Sequence, residues 1–146
     1  MNCLAHLLLA HQHEHSLAGA LLGDFVKGRL DGHCKTYPSH WLSSIEFHRQ
    51  IDRFTDSHLQ VELARGRFFS PYRRYAGIIV DLVFDHFLVH SWHHYSNDTL
   101  ADFEQHCYLQ LQQDEHLFPH SAQQLSRHIR EHQLLSGYGS LSKIER

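Results

Sequence analysis

Three cysteines in 146 residues, Cys3, Cys34 and Cys107, are odd in number and far apart, with no CxxC pair among them. That spacing predicts neither a disulfide framework nor a zinc knuckle. Positive charge is scarce too: 13 Lys and Arg against 16 Asp and Glu leave a formal net charge of −3. A protein held to nucleic acid through phosphate contacts needs the opposite balance, so nucleic acid is excluded as the expected partner. No apolar run is long enough to cross a bilayer, and no basic segment precedes the Leu-rich N-terminus. The expectation is a cytoplasmic protein without a membrane partner. Alternating strand patterns of useful length are missing, as are internal repeats and low-complexity tracts.

What remains is helix. A hydrophobic content of 42% with 12% aromatics suits an ordinary core, and the length suits one domain, residues 1–146. The spacing predicts an apolar helix over residues 2–11, then a polar break at His11-Gln-His-Glu-His15. Ser16 caps a second helix through about Lys27, on which Gly19 and Gly23 permit close approach of another helix. Gly32 and Pro38 mark a loop, and a third helix runs from about Ser39 to Asp56 with Phe47, Ile51 and Phe54 as its core stripe. A fourth covers about Ser57 to Phe69, and Ser70-Pro71 starts a fifth by capping. A sixth begins near Asp98 or Thr99 and ends at Pro119, and Ser121 opens a seventh. Ser140 has the look of a cap on an eighth helix with only Leu141 to Arg146 to fill it. Six residues make a poor helix alone, so the expectation is a bundle whose C-terminal helices are truncated. The 17 histidines are assigned mostly to exposed helix faces.

The organising stretch is Gly77-Ile-Ile-Val-Asp-Leu-Val-Phe-Asp-His-Phe-Leu-Val-His90, whose apolar residues leave no polar face. As a helix it is expected to be buried. Yet it carries Asp81 and Asp85 four residues apart, followed by His86 and His90. Buried carboxylates must be paired, protonated or bound to a cation, so a divalent metal and a set of Arg or hydroxyl partners both remain open. On the third helix His48, Asp52 and Asp56 stack one turn apart, with Arg49 and Arg53 just beyond. That stripe is either part of a metal site or a surface ion-pair ladder. Asp24 falls at i+7 from Leu17, on the apolar stripe of the second helix.

Four blocks, Met1-Asn-Cys-Leu-Ala-His6, Leu22-Gly-Asp-Phe-Val-Lys-Gly28, His48-Arg-Gln-Ile-Asp-Arg-Phe-Thr-Asp56 and Asp81-Leu-Val-Phe-Asp-His-Phe-Leu88, occur in that order. Together they resemble the acyl carrier protein phosphodiesterase family, also called holo-ACP hydrolase. The resemblance implies an all-helical relative of the HD-type metal-dependent phosphohydrolases. It implies hydrolysis of the phosphodiester between 4′-phosphopantetheine and a serine of holo-acyl carrier protein, with a divalent cation, typically manganese. Carried over by motif, Asp24, His48, Asp52, Asp81, Asp85 and His86 become the candidate metal-site residues, all but Asp81 also candidate catalytic residues. Two departures stand out: the order Asp85-His86 reverses the usual HD pair, and Cys3 replaces an aromatic residue. Lys27 and Arg49 are candidates to grip phosphate, and His6 and His90 to orient ligands or protonate the leaving serine oxygen. Because acyl carrier proteins are acidic, Arg65, Arg67, Arg73 and Arg74 become candidates to receive one, Arg73 and Arg74 foremost. A nucleotide or small-phosphoester hydrolase, and a non-catalytic helical metal-binding protein, are the competing expectations.

Overall fold

The apolar periodicity becomes helix through most of residues 2–140, the described part of a computed structural model, and no strand occurs among them. Helix α1, Cys3–Gln12, buries Leu4, His6, Leu7, Leu8 and Ala10. Every residue of α2, Leu17–Leu22, is buried, and Ser16 caps it by accepting the Gly19 N–H at 3.3 Å. The helix stops at Leu22, short of Lys27, and residues 23–28 form a turn that leaves Asp24 exposed. Asp24 is therefore not on an apolar stripe.

Helix α3, Ser39–Asp56, has the bounds that its periodicity predicts. It lies so close to α2 that a Cβ on Gly19 would sit 2.5 Å from the Trp41 carbonyl oxygen, and one on Gly23 would sit 2.2 Å from His48 Cγ. The two glycines thus serve helix contact, as their spacing suggests. The buried face of α3 is Trp41, Ser44, Ile45, His48 and Ile51, whereas Phe54 is exposed. The stripe is rotated from the expected one, and His48 is inside.

Helix α4, Leu59–Gly66, leads through the Ser70–Pro71 bond and a short 3-10 turn, Tyr72–Tyr75, to α5, Ala76–His90. Ser70 therefore does not cap α5. Nor is α5 a fully buried helix: Ala76, Val80 and Asp85 are buried, while Ile78, Phe84 and Phe87 reach the surface. Helix α6, Leu100–Asp114, is capped by Thr99, which accepts the Asp102 N–H at 3.1 Å. It ends before a 3-10 turn, and Pro119 stands ahead of α7, His120–Glu131, with α8, Leu134–Gly137, following. The expected helix from Leu141 to Arg146 lies outside the described residues.

One apolar core joins α1, α2, α3, α6, α7 and α8, with Leu4, Leu7, Leu22, Trp41, Ile45, Leu111, Ile129 and Leu135 fully enclosed. Each such side chain contributes about 1.5–3 kcal/mol by leaving water. Glu115 ties α7 down by accepting from Ser126, Arg127 and Arg130 at 3.0, 2.6 and 3.0 Å. None of the described helices is long and apolar enough to cross a membrane. Cys3, Cys34 and Cys107 are all free thiols.

Candidate functional site

Helices α1 and α3 and the turn after α2 bring four titratable side chains to one place. His48, 2% exposed, points from α3 towards α2, and its Nδ1–H donates to the Ala20 carbonyl at 2.7 Å. That bond fixes the tautomer and aims Nε2 at two carboxylates, Asp52 Oδ2 at 3.2 Å and Asp24 Oδ1 at 3.4 Å. Neither contact has hydrogen-bond alignment, so Nε2 is a buried polar atom without a hydrogen-bond partner. His6 approaches from α1: its ring lies flat on that of His48, with centroids 3.6 Å apart and planes 5° from parallel. Its Nε2 meets Asp52 Oδ1 at 2.9 Å.

Charge and burial sort the four groups. Burial opposes a charge on His48, yet Asp24 and Asp52 outweigh it and raise its pKa to about 9. Burial keeps His6 below the usual histidine value despite Asp52 beside it. Burial would raise Asp52, but His48 and His6 hold its carboxyl well below the usual range. Asp24 is lowered by its contact with His48, against partial burial. Without a bound cation, one imidazolium therefore sits between two carboxylates near neutral pH.

The same arrangement suits a divalent ion. His6, His48 and Asp52 offer ligand atoms that all lie within 4.8 Å of one another. Imidazole nitrogen with carboxylate oxygen is a donor set for borderline and hard divalent metals. A ligating histidine usually gives its second ring N–H to a carbonyl or carboxylate, as His48 does to Ala20.

Matching the whole chain, residues 1–146, is the family model described as acyl carrier protein phosphodiesterase. The chain belongs to the acyl carrier protein phosphodiesterase family. It is 38% identical over 145 residues to a relative of that name from Yersinia enterocolitica, covering 99% of this chain and 74% of that protein. Relatives of the same name from Yersinia pestis and Escherichia coli K12 are each 43% identical over 112 and 113 residues. Those matches cover 76% and 77% of this chain, which in turn spans 56% of each relative. No solved structure matches the chain.

Of the residues carried over from the acyl carrier protein phosphodiesterase blocks, Asp24, His48 and Asp52 share the site with His6. The others stand elsewhere on α5. Asp85 is fully buried, and its Oδ2 and Oδ1 accept the N–H groups of Leu4 and Ala5 at 3.0 and 3.2 Å. Burial raises its pKa to about 7, against the pull of those two N–H groups. Asp81 is half-buried one turn earlier. His86 Nδ1–H donates to the Tyr138 carbonyl at 2.9 Å, and His90 Nε2–H to that of Gly139 at 3.0 Å. Arg49 spends its guanidinium on the Gly28 and Val26 carbonyls, both at 2.9 Å, so it braces the segment carrying exposed Lys27. Sequence reasoning gives His6 the part of orienting ligands or protonating the leaving serine oxygen, not of offering a ligand atom itself. The available signal was a lone histidine among Leu4, Leu7 and Leu8, where a polar group must have a partner.

Proposed function

We propose that this chain is a divalent-cation-dependent phosphodiesterase, acting on the bond between 4′-phosphopantetheine and a serine of holo-acyl carrier protein. The products are the apo-carrier protein and free 4′-phosphopantetheine, and manganese is the cation proposed. The observation that carries the reading is His48 Nε2, buried, aimed by Ala20 and faced by two carboxylates. Family membership supplies the reaction class. His6, His48 and Asp52 would hold the cation, with Asp24 completing the set from the exposed side. When bound, a divalent cation supplies Lewis acidity towards the phosphoryl oxygens and lowers the pKa of water. Asp24, 69% exposed and ionised, stands where a phosphodiester and a water would enter, and can take a proton from that water. Lys27 lies on the same turn and can balance phosphoryl charge.

The test is mass spectrometry of holo-acyl carrier protein incubated with the purified chain and manganese. Loss of the phosphopantetheine arm, abolished by a chelator, is expected. An intact arm under conditions where a small phosphodiester is cleaved would move the chain to the small-phosphoester class. An intact arm with neither substrate cleaved would leave a non-catalytic protein.

Arg73 and Arg74 are exposed in the turn before α5, and Arg74 lies 4.6 Å over the Tyr75 ring, while Arg65 is committed to Asp56 at 2.5 Å. Arg67, at the end of α4, is exposed as well; as the foremost carrier-protein contacts we take Arg73 and Arg74. Changing both to Glu is expected to raise KM for holo-acyl carrier protein several-fold, since each exposed pair contributes about 0.2–1 kcal/mol. Steady-state kinetics should show the effect shrinking with added salt. An equal loss on a small phosphodiester would remove these arginines from carrier recognition.

A further inference from the structure

Asp85 is the most deeply enclosed acidic side chain among the described residues, and the hydrogen bonds it accepts among them come from main-chain N–H groups. Its two oxygens take the N–H groups of the second and third residues of α1. Such groups lie too early in a helix to find a carbonyl four residues back. Local capping does not serve them, because Asn2 at the N-cap makes no side-chain cap hydrogen bond. The cap comes from α5, 81 residues away from Leu4 in sequence. The next residue of α1 is His6, whose ring must meet both His48 and Asp52. Each residue of a helix turns it by about 100°, so a small slip of α1 would swing His6 off both partners.

We infer that Asp85 is a positioning residue: as a cap supplied by α5, it fixes the rotation and height of the first turn of α1 and so holds His6 at the candidate cation site. This rests on the cation reading for its consequence, though not for its geometry. Asp85 then serves the site through His6 and not as a direct ligand. A carboxylate is required because it alone accepts two N–H groups with like strength. The α1 N-terminus also favours a negative charge.

The experiment is Asp85→Asn, which keeps the volume but turns an N–H donor towards one of the two backbone N–H groups. The readouts are the His6 ring signals in NMR spectra of the metal-free chain and manganese affinity by electron paramagnetic resonance. Displaced His6 signals are expected before any metal is added, together with manganese affinity weaker by about tenfold or more, the range for groups that orient ligands. Lost affinity with unmoved metal-free His6 signals would make Asp85 a direct ligand and overturn the inference. Unmoved signals with full affinity would make the cap merely structural. If the single variant does not fold, Asn2→Asp added to it supplies a local cap. The double variant should then recover its melting temperature while His6 stays displaced. Recovery of the native His6 signals as well would show that any cap suffices, and the link to α5 would be irrelevant. If the unaltered chain binds no manganese, the cation reading fails while the His6 signals still decide the positioning role.

Discussion

Gly23→Ala is expected to abolish manganese binding while leaving most of the helix content in place. A Cβ at this position would stand 2.2 Å from His48 Cγ and 2.5 Å from Nδ1. The backbone there is right-handed, at φ −53° and ψ −34°, so alanine suits the chain itself and the whole conflict is with the imidazole. The ring is flat and rigid and its Nδ1 is tied to Ala20, the residue three positions before Gly23. It cannot yield by a few tenths of an ångström without breaking that bond and leaving the His6 stack. Overpacking of this kind costs about 1–3 kcal/mol, which a chain of this length can survive. The loss should therefore fall on the site. Gly19→Ala is the comparison, since its Cβ would meet the Trp41 carbonyl and Ser44, and backbone cannot step aside. It should lower the melting temperature more, and Gly23→Ala should lower manganese affinity more. Wild-type affinity in Gly23→Ala, measured by electron paramagnetic resonance, would mean that His48 is not a ligand.

Much of this arrangement was open to sequence reasoning because it rests on spacing. The bounds of α3 follow from its periodicity, and His48 with Asp52 one turn apart share a face in any helix that contains them. Gly19 and Gly23, also one turn apart, announce a close neighbour without naming it. What spacing does not convey is how far each helix is rotated about its own axis. Periodicity alone puts Phe54 inside and His48 beside the core; the close α2 contact allowed by the glycines turns the face so that His48 goes in and Phe54 comes out. The continuous apolar run of α5 signals burial, but hydrophobicity does not say against what, and Ile78, Phe84 and Phe87 lie on the described surface. Asp85, acidic in an apolar helix, calls for a cation or for Arg or hydroxyl partners. Its partners are main-chain N–H groups of α1, which carry no residue signature at all. Asp24 falls on an apolar stripe only in a helix that continues past Gly23, where the chain in fact turns.

The second large effect is chemical. Manganese binding at about pH 7.5 is expected to expel one proton per site, because a ligating imidazole needs the lone pair that Nε2 of His48 gives to a proton in the metal-free chain. Burial opposes that proton, but Asp24 and Asp52 raise the pKa to about 9, well above the ordinary 6.5. A raised histidine stabilises the fold fully below its unfolded value and loses that contribution as pH rises through the folded one. Metal-free melting temperatures should thus decline between about pH 6.5 and 9, and stabilisation by manganese should grow across the same range. Asp85, raised by burial to about 7, has its own decline between its ordinary value and that point, mostly below this window. Calorimetric titration of the chain with manganese, in two buffers of different ionisation enthalpy at about pH 7.5, counts the protons directly. Release close to one, vanishing above about pH 9 and absent in His48→Gln, is the predicted result. Binding heats that do not depend on the buffer, or no binding at all, would contradict a cation held by His48.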